Sequence, residues 1–266
     1  MSSISAEIGI LGGTGIYSAE MFSDVTELKV HTPYGETSDT VCIGKYSNRS
    51  IAFIPRHGKG HRIPPHRINY LANIWAFKSL GVKRIVAPSA VGSLKTRYKP
   101  GDIVVPDQFI DLTKSRDYTF YDGGQVCHIS MAQPFCPELT RIAFDSIREL
   151  SFDGHPSGTY LCIEGPRFST VAESRYYREV LNADIIGMTL IPECVLAREA
   201  EICYVSLSTV TDYDVWTENT VNSKDIVAIL EKNVSKTKKI IMQIISQIPA
   251  GREKCTCGHS LDNSVL

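Results

Sequence analysis

Several short segments carry residue types whose chemistry goes beyond packing. In Pro55-Arg56-His57-Gly58-Lys59-Gly60-His61 an arginine and two histidines stand close together. The planar fork of Arg56 suits a phosphate or carboxylate, and His57 adds a donor when charged or correctly tautomerised. Gly12-Gly13-Thr14-Gly15 offers backbone N–H groups and the Thr14 hydroxyl to an anion, or is a plain tight turn. Ser89-Ala90-Val91-Gly92-Ser93 supplies another hydroxyl and more amides. His57, His61 and His66 could suggest a metal, but no carboxylate is near and the surrounding cations oppose one. Thr211-Asp212-Tyr213-Asp214 sets two carboxylates around a tyrosine, either as a helix cap or as an acid-base pair. Glu164-Gly165-Pro166-Arg167-Phe168-Ser169 and Gly187-Met188-Thr189 add an acid, an aromatic ring, hydroxyls and a thioether. An anion site facing such groups suits a ligand with a flat base and a sugar.

These segments follow apolar runs. Strands are expected at Ile8–Leu11, Thr40–Ile43, Ile51–Ile54, Arg84–Ala87, Ile103–Val105, Thr159–Ile163, Asp184–Gly187 and Ile202–Thr209. Their Ile/Val-rich, weakly alternating character fits strands covered on both faces. Helices are expected at Asn69–Leu80, Glu138–Leu150, Val171–Leu181, Glu193–Ala200 and Ser223–Ile248, the last stopped by Pro249. The order is α/β, with a sheet between helices and ligand loops at strand ends. The dinucleotide pattern fails, because Ser18 stands at its third glycine position. A P-loop fails too: Lys45 and Lys59 follow glycines but precede Tyr46 and Gly60.

The chain has 266 residues, 43% of them hydrophobic and 21% charged, with a formal net charge of -1. That length can bury a full core without a staple and argues for one domain. The near-zero charge argues against a nucleic-acid binder or a polybasic membrane protein, and no apolar run reaches transmembrane length. Met1 to Glu7 has no basic n-region, so the start reads as strand and turn rather than signal peptide, and the expected location is cytoplasmic. Between Asp39 and Asp102 there is no acid, while Lys45, Arg49, Arg56, Lys59, Arg62, Arg67, Lys78, Lys83, Arg84, Lys95, Arg97 and Lys99 all lie there. That is either a solvated basic face or part of an anion site. Of the eight cysteines, Cys42, Cys162, Cys194 and Cys203 suit buried small hydrophobes. Composition leaves disulfides open.

In ordered combination the motifs are specific. Gly12-Gly13-Thr14-Gly15, Pro55-Arg56-His57-Gly58, His61, Ala90, Gly92-Ser93, Glu164 to Ser169, Met188-Thr189 and Thr211 to Asp214 run along Ile8 to about Ile248. The chain resembles the 5'-methylthioadenosine branch of the trimeric purine nucleoside phosphorylase family. The resemblance implies a single domain over 1–266, with a central mixed β-sheet flanked by helices and a tail at 251–266. It implies phosphate-dependent cleavage of a nucleoside to free base and sugar 1-phosphate, as in purine and methionine salvage. Inorganic phosphate would be a co-substrate, and no metal or organic cofactor is expected. By similarity, Thr14, Arg56, His57, Ser89, Ala90 and Thr189 hold phosphate. Met188 lies against the ribose, and Ile163, Phe168, Ser169 and Tyr213 belong to the base side. Asp212 is the candidate donor to the base N7, with Asp214 fixing it and accepting from the exocyclic amine. Glu164 is expected to be structural. Asp212 favours adenine, since 6-oxopurine relatives place Asn there. Ser223, Ile226, Val227 and His61 map to the 5' side, and His128 to the residue reaching in from a neighbouring subunit. The expected partners are small molecules and further copies in a trimer or hexamer. A 6-oxopurine nucleoside phosphorylase and a non-catalytic nucleoside-binding protein are the alternatives. The Cys255-Thr256-Cys257 tail resembles the archaeal, heat-adapted branch. That resemblance implies disulfides Cys136–Cys203 and Cys255–Cys257. A metal half-site with His259, or eight reduced thiols, are the rivals.

Overall fold

The computed structural model describes residues 4–13, 15–16, 19–217 and 223–266, and for 223–232 the backbone alone. Eleven strands are present among them: β1 Ile8–Gly12, β2 Ser23–Leu28, β3 Val41–Tyr46, β4 Arg49–Pro55, β5 Arg84–Ser93, β6 Ile103–Val104, β7 Gln108–Leu112, β8 Gly154–His155, β9 Thr159–Ile163, β10 Ile185–Gly187 and β11 Cys203–Asp212. The α-helices are α1 Tyr70–Ser79, α2 Pro137–Glu149, α3 Val171–Glu179, α4 Glu193–Glu199 and α5 Ser223–Gln247.

The strands form one mixed sheet in the order β2-β3-β4-β1-β5-β10-β9-β7. A second branch leaves β5 through β11 to β6 and β8. β1 runs parallel to β4 and β5, and every one of its residues is buried. Helices cover both faces. Ile74 and Phe77 of α1 share one core with Leu196 and Ala197 of α4. Leu139, Ile142 and Ile147 of α2 pack with Ile240, Ile244 and Ile245 of α5 in another. Local chemistry starts these helices where the sequence suggests: the Asn69 side chain accepts from Ala72 N–H, and Thr170 and Glu173 form a capping box. Among the described residues, no helix is long and apolar enough to cross a membrane.

Two expectations need correcting. β5 and β11 do not stop at Ala87 and Thr209; they continue to Ser93 and Asp212, paired with each other throughout. The acid-free basic stretch is partly neutralised from elsewhere: Arg49 pairs with Glu7, Arg56 with Glu193, Arg84 with Glu138 and Arg97 with Asp184.

Candidate active site

The extended pairing of β5 and β11 builds one cavity of about 680 Å³, a volume suited to a small molecule. Its wall takes Arg56 and His57 from beyond β4, Ser89 to Gly92 from β5, Ile163 from β9, Met188 and Thr189 from beyond β10, and Thr211 and Asp212 from β11. Thr209 stands opposite Ala90 and Asp212 opposite Gly92, with a bulge between Val210 and Asp212. In a regular strand neighbours face opposite ways. The bulge re-aims the strand, so that Thr211 and Asp212 both line the cavity. Close approach needs glycine here: a Cβ on Gly92 would lie 2.9 Å from Asp212 Oδ1, and one on Gly13 2.3 Å from the Pro88 carbonyl oxygen.

At one end the groups suit an anion. Arg56 is 1% exposed. Its Nε and Nη2 donate to Glu193 at 2.6 and 2.7 Å, and Nη1 donates to the Pro88 carbonyl at 3.0 Å. A guanidinium has five N–H donors, so two remain for a ligand. Tyr204 Oη also donates to Glu193, at 2.6 Å. His57 is buried and stacked on His61, with ring centroids 4.1 Å apart. Burial, followed by the neighbouring His61 and Arg56, pushes its pKa down to about 3 despite the Ile63 carbonyl. Its Nδ1 lies 2.9 Å from that carbonyl, so the neutral ring keeps its proton there and presents Nε2 as an acceptor. This revises the expectation of a donor: toward the cavity, neutral His57 accepts a hydrogen bond rather than donating one. Ser89 Oγ is buried without a partner among the described residues.

The other end carries two buried carboxyls. Thr211 Oγ1 lies 3.1 Å from the Val91 carbonyl and 2.6 Å from Asp212 Oδ2, and Asp214 N–H donates to Asp212 Oδ1 at 2.8 Å. Burial raises the pKa of both carboxyls, and for Asp212 this outweighs the Thr211 and Asp214 donors. Asp214 and His61 hold left-handed backbone at φ 49° and 56°, a conformation that Asp tolerates better than most residues. The buried hydroxyls of Ser169 and Ser174 face the buried Asp214 carboxyl. Phe168 lies on the wall, 42% exposed. Glu164 is structural as expected. It accepts from the amides of Lys114 and Ser115 and pairs with Arg116 at 3.1 Å.

Thus Arg56, His57, His61, Ser89, Ala90, Ile163, Phe168, Ser169, Met188, Thr189, Asp212 and Asp214 converge on one cavity. Tyr213 does not line it; its ring packs edge-on against Trp216, 5.5 Å away. His128 is exposed on another part of the surface, where its N–H donates to the Ser264 carbonyl. Thr14 and the side chains of Ser223, Ile226 and Val227 lie outside the described residues. The three histidines are not gathered as metal ligands; the one such group among the described residues is Cys136, Cys203, Cys255 and Cys257. Sequence reasoning missed Glu193. Its signal was a lone carboxylate within Leu190-Ile191-Pro192-Glu193-Cys194-Val195-Leu196, since a charge in an apolar run must be paired when buried.

Comparison with known proteins accords with this geometry. The family model of the phosphorylase superfamily matches residues 7–246. The chain is 57% identical over 258 residues to an S-methyl-5'-thioadenosine phosphorylase of Nitrosopumilus maritimus, covering 97% of each chain. It is 54% identical over 266 residues to the enzyme of that name from Hyperthermus butylicus, covering 99% of this chain and 97% of the relative. Among solved structures, a methylthioadenosine phosphorylase from an antarctic soil metagenomic library superposes with a TM-score of 0.93 at 44% identity, over 99% of this chain and 93% of that one. The Schistosoma mansoni methylthioadenosine phosphorylase in complex with adenine gives 0.91 at 36% identity, over 96% of both chains.

Proposed function

Because the chain belongs to the phosphorylase superfamily, we propose that it cleaves the N-glycosidic bond of S-methyl-5'-thioadenosine with inorganic phosphate. The products are adenine and 5-methylthioribose 1-phosphate. The observation that carries this reading is a single cavity with buried, paired Arg56 at one end and a buried carboxyl pair at the other.

Phosphate lies against Arg56, His57, Ser89, Ala90 and Thr189, and Thr14 completes the set. Pairing with Glu193 holds the guanidinium rigid and leaves two N–H groups to bind oxygen. His57 Nε2 accepts a hydrogen bond from the hydroxyl of monohydrogen phosphate, which orients the nucleophile. As the glycosidic bond breaks, the ribose becomes oxocarbenium-like and phosphate stabilises it from below. The leaving adenine gathers negative charge, and protonated Asp212 donates to N7. Thr211 Oγ1 reaches both the Val91 carbonyl and Asp212 Oδ2 and so fixes the orientation of the carboxyl. The second Asp212 oxygen and Asp214 accept from the 6-amino group. Met188 packs on the ribose, and Ile163, Phe168 and Ser169 face the base. His61 belongs to the 5' side with Ser223, Ile226 and Val227, two of them apolar and suited to a methylthio group. His128 enters from a second copy in a trimer-based assembly. Phosphate is neutralised directly by protein groups, so the reaction needs no metal or organic cofactor.

The test is base release from methylthioadenosine, adenosine and inosine with and without phosphate. Phosphate-dependent adenine release, best with methylthioadenosine, is expected. Phosphate-independent release, or a preference for inosine, would overturn the assignment.

A further inference from the structure

One buried hydroxyl has no role in the reaction as described so far. Tyr160 lies in β9 and is 0% exposed. It stands opposite Ile185 of β10, and Gly187 follows two residues on, on the same face of the sheet. Two residues of parallel strand advance about 6.6 Å, a step that a tyrosine side chain can span. Gly187 leaves the end of that path open: a Cβ there would overlap the Tyr160 hydroxyl and lie 2.6 Å from its Cζ. The phenol therefore ends beneath Gly187, behind the cavity wall that Gly187, Met188 and Thr189 form. The N–H and hydroxyl of Thr189 adjoin its oxygen, which makes no regular hydrogen bond among the described residues. We propose that Tyr160 is a positioning residue: its hydroxyl donates to Thr189 Oγ1 and turns the Thr189 proton toward phosphate in the cavity.

The inference rests on the reading of Thr189 as a phosphate ligand. A threonine hydroxyl has one proton and two lone pairs. With Tyr160 donating to one lone pair from behind, the Thr189 proton is left to point at the cavity, which Thr189 lines. The unprotonated phosphate oxygens only accept, so the chain runs one way, from Tyr160 through Thr189 to phosphate. Each bond polarises the next in this dry environment. Burial, together with the neighbouring Cys162, raises the pKa of the phenol, so it keeps the proton that it donates. The arrangement needs both residues: tyrosine at 160 for the oxygen and glycine at 187 for the room.

The test compares Tyr160→Phe with the wild type, since that change removes one oxygen and keeps the ring. KM for phosphate is expected to rise about tenfold, while KM for methylthioadenosine and the thermal midpoint stay close to wild type. Calorimetric titration of the nucleoside-free protein with inorganic phosphate should show a similar loss of affinity. A phenol that only packs would leave phosphate affinity alone. Thr189→Val should also raise the KM for phosphate, and adding Tyr160→Phe to it should cost nothing further. In Thr189→Ser, which keeps the hydroxyl, Tyr160→Phe should keep its full effect. Wild-type phosphate affinity in Tyr160→Phe, or effects of Tyr160→Phe and Thr189→Val that multiply, would overturn the proposal. Failure of the underlying reading looks different: the wild type would release base without phosphate, or Thr189→Val would bind phosphate as well as the wild type. Either result would remove this inference together with that reading.

Discussion

In the proposed reaction Asp212 holds a proton while a second carboxyl, Asp214, stands two residues away. Burial raises both carboxyls, so the protonated fraction of Asp212 and the rate should fall together as pH climbs through its folded value. Asp212→Asn should weaken cleavage of adenine nucleosides by about 2–4 kcal/mol in transition-state stabilisation and shift preference toward 6-oxopurines. Unchanged kcat/KM on methylthioadenosine would remove Asp212 from the chemistry. His57 makes a prediction about stability. Its pKa falls from 6.5 in the unfolded chain to about 3 in the folded one. Above pH 6.5 both states are neutral and it contributes nothing. Below that the unfolded state alone takes up the proton, so stability drops as pH falls from 6.5 toward 3, by about 5 kcal/mol. Denaturant titrations at pH 7.5, 6 and 4.5 should show this slope, flattened in His57→Gln. An equal slope in both proteins would refute the assignment.

The helices were legible because caps and stops are local: Asn69, the Thr170–Glu173 pair and Pro249 lie within a residue or two of the observed ends. The buried strands were legible as apolar runs. β2, Ser-Asp-Val-Thr-Glu-Leu, was not, since it is exposed nearly throughout and has no buried face to leave a pattern. The outer halves of β5 and β11 read as loops because Pro88, the serines, Gly92 and Asp212 are poor strand formers; pairing between the two strands overrides propensity. The anion-site residues were legible by type, but Glu193 belongs to α4 and meets Arg56 only through the fold. Glu193→Gln should loosen the Arg56 fork. KM for phosphate is expected to rise at least tenfold, more than kcat falls, and unfolding free energy to drop by about 3–5 kcal/mol because a buried cation loses its partner. Phosphate saturation identical to wild type would show that Glu193 positions nothing. Gly92→Ala should displace the Asp212 carboxyl and reduce kcat while the far-UV circular dichroism stays unchanged; unaltered kcat would contradict the close approach.

At the scale of the whole molecule, the position of His128 stands apart from the cavity. His128 is exposed, and its segment is bridged to the C-terminal end: Cys127 pairs with Val265, and Leu266 N–H donates to the Val126 carbonyl. If His128 completes a neighbour's pocket, sedimentation should show a trimer or a hexamer, and a fully active monomer at micromolar concentration would exclude it. A sharper measurement mixes subunits. Asp212→Asn and His128→Ala chains, each weak alone, should regain activity when refolded together in equal amounts, because roughly a quarter of the sites in a random cyclic trimer receive both native residues. No gain on mixing would place His128 outside the site.

The pairing of β5 with β11 also bears on inhibition. Ser89 and Ala90 ride on one strand and Asp212 lies on its hydrogen-bonded neighbour opposite Gly92, so in the proposed reading the span from anion to heterocycle is set by the strand register, about 3.3 Å per residue along the strands and about 4.8 Å across them. The sheet acts as a fixed gauge. A compound whose anionic and purine-like ends match that span meets a pocket already in shape and gains from its own rigidity. One with an extra methylene between the two ends must buckle or leave one end unpaired, so affinity across a linker series should peak sharply at a single length.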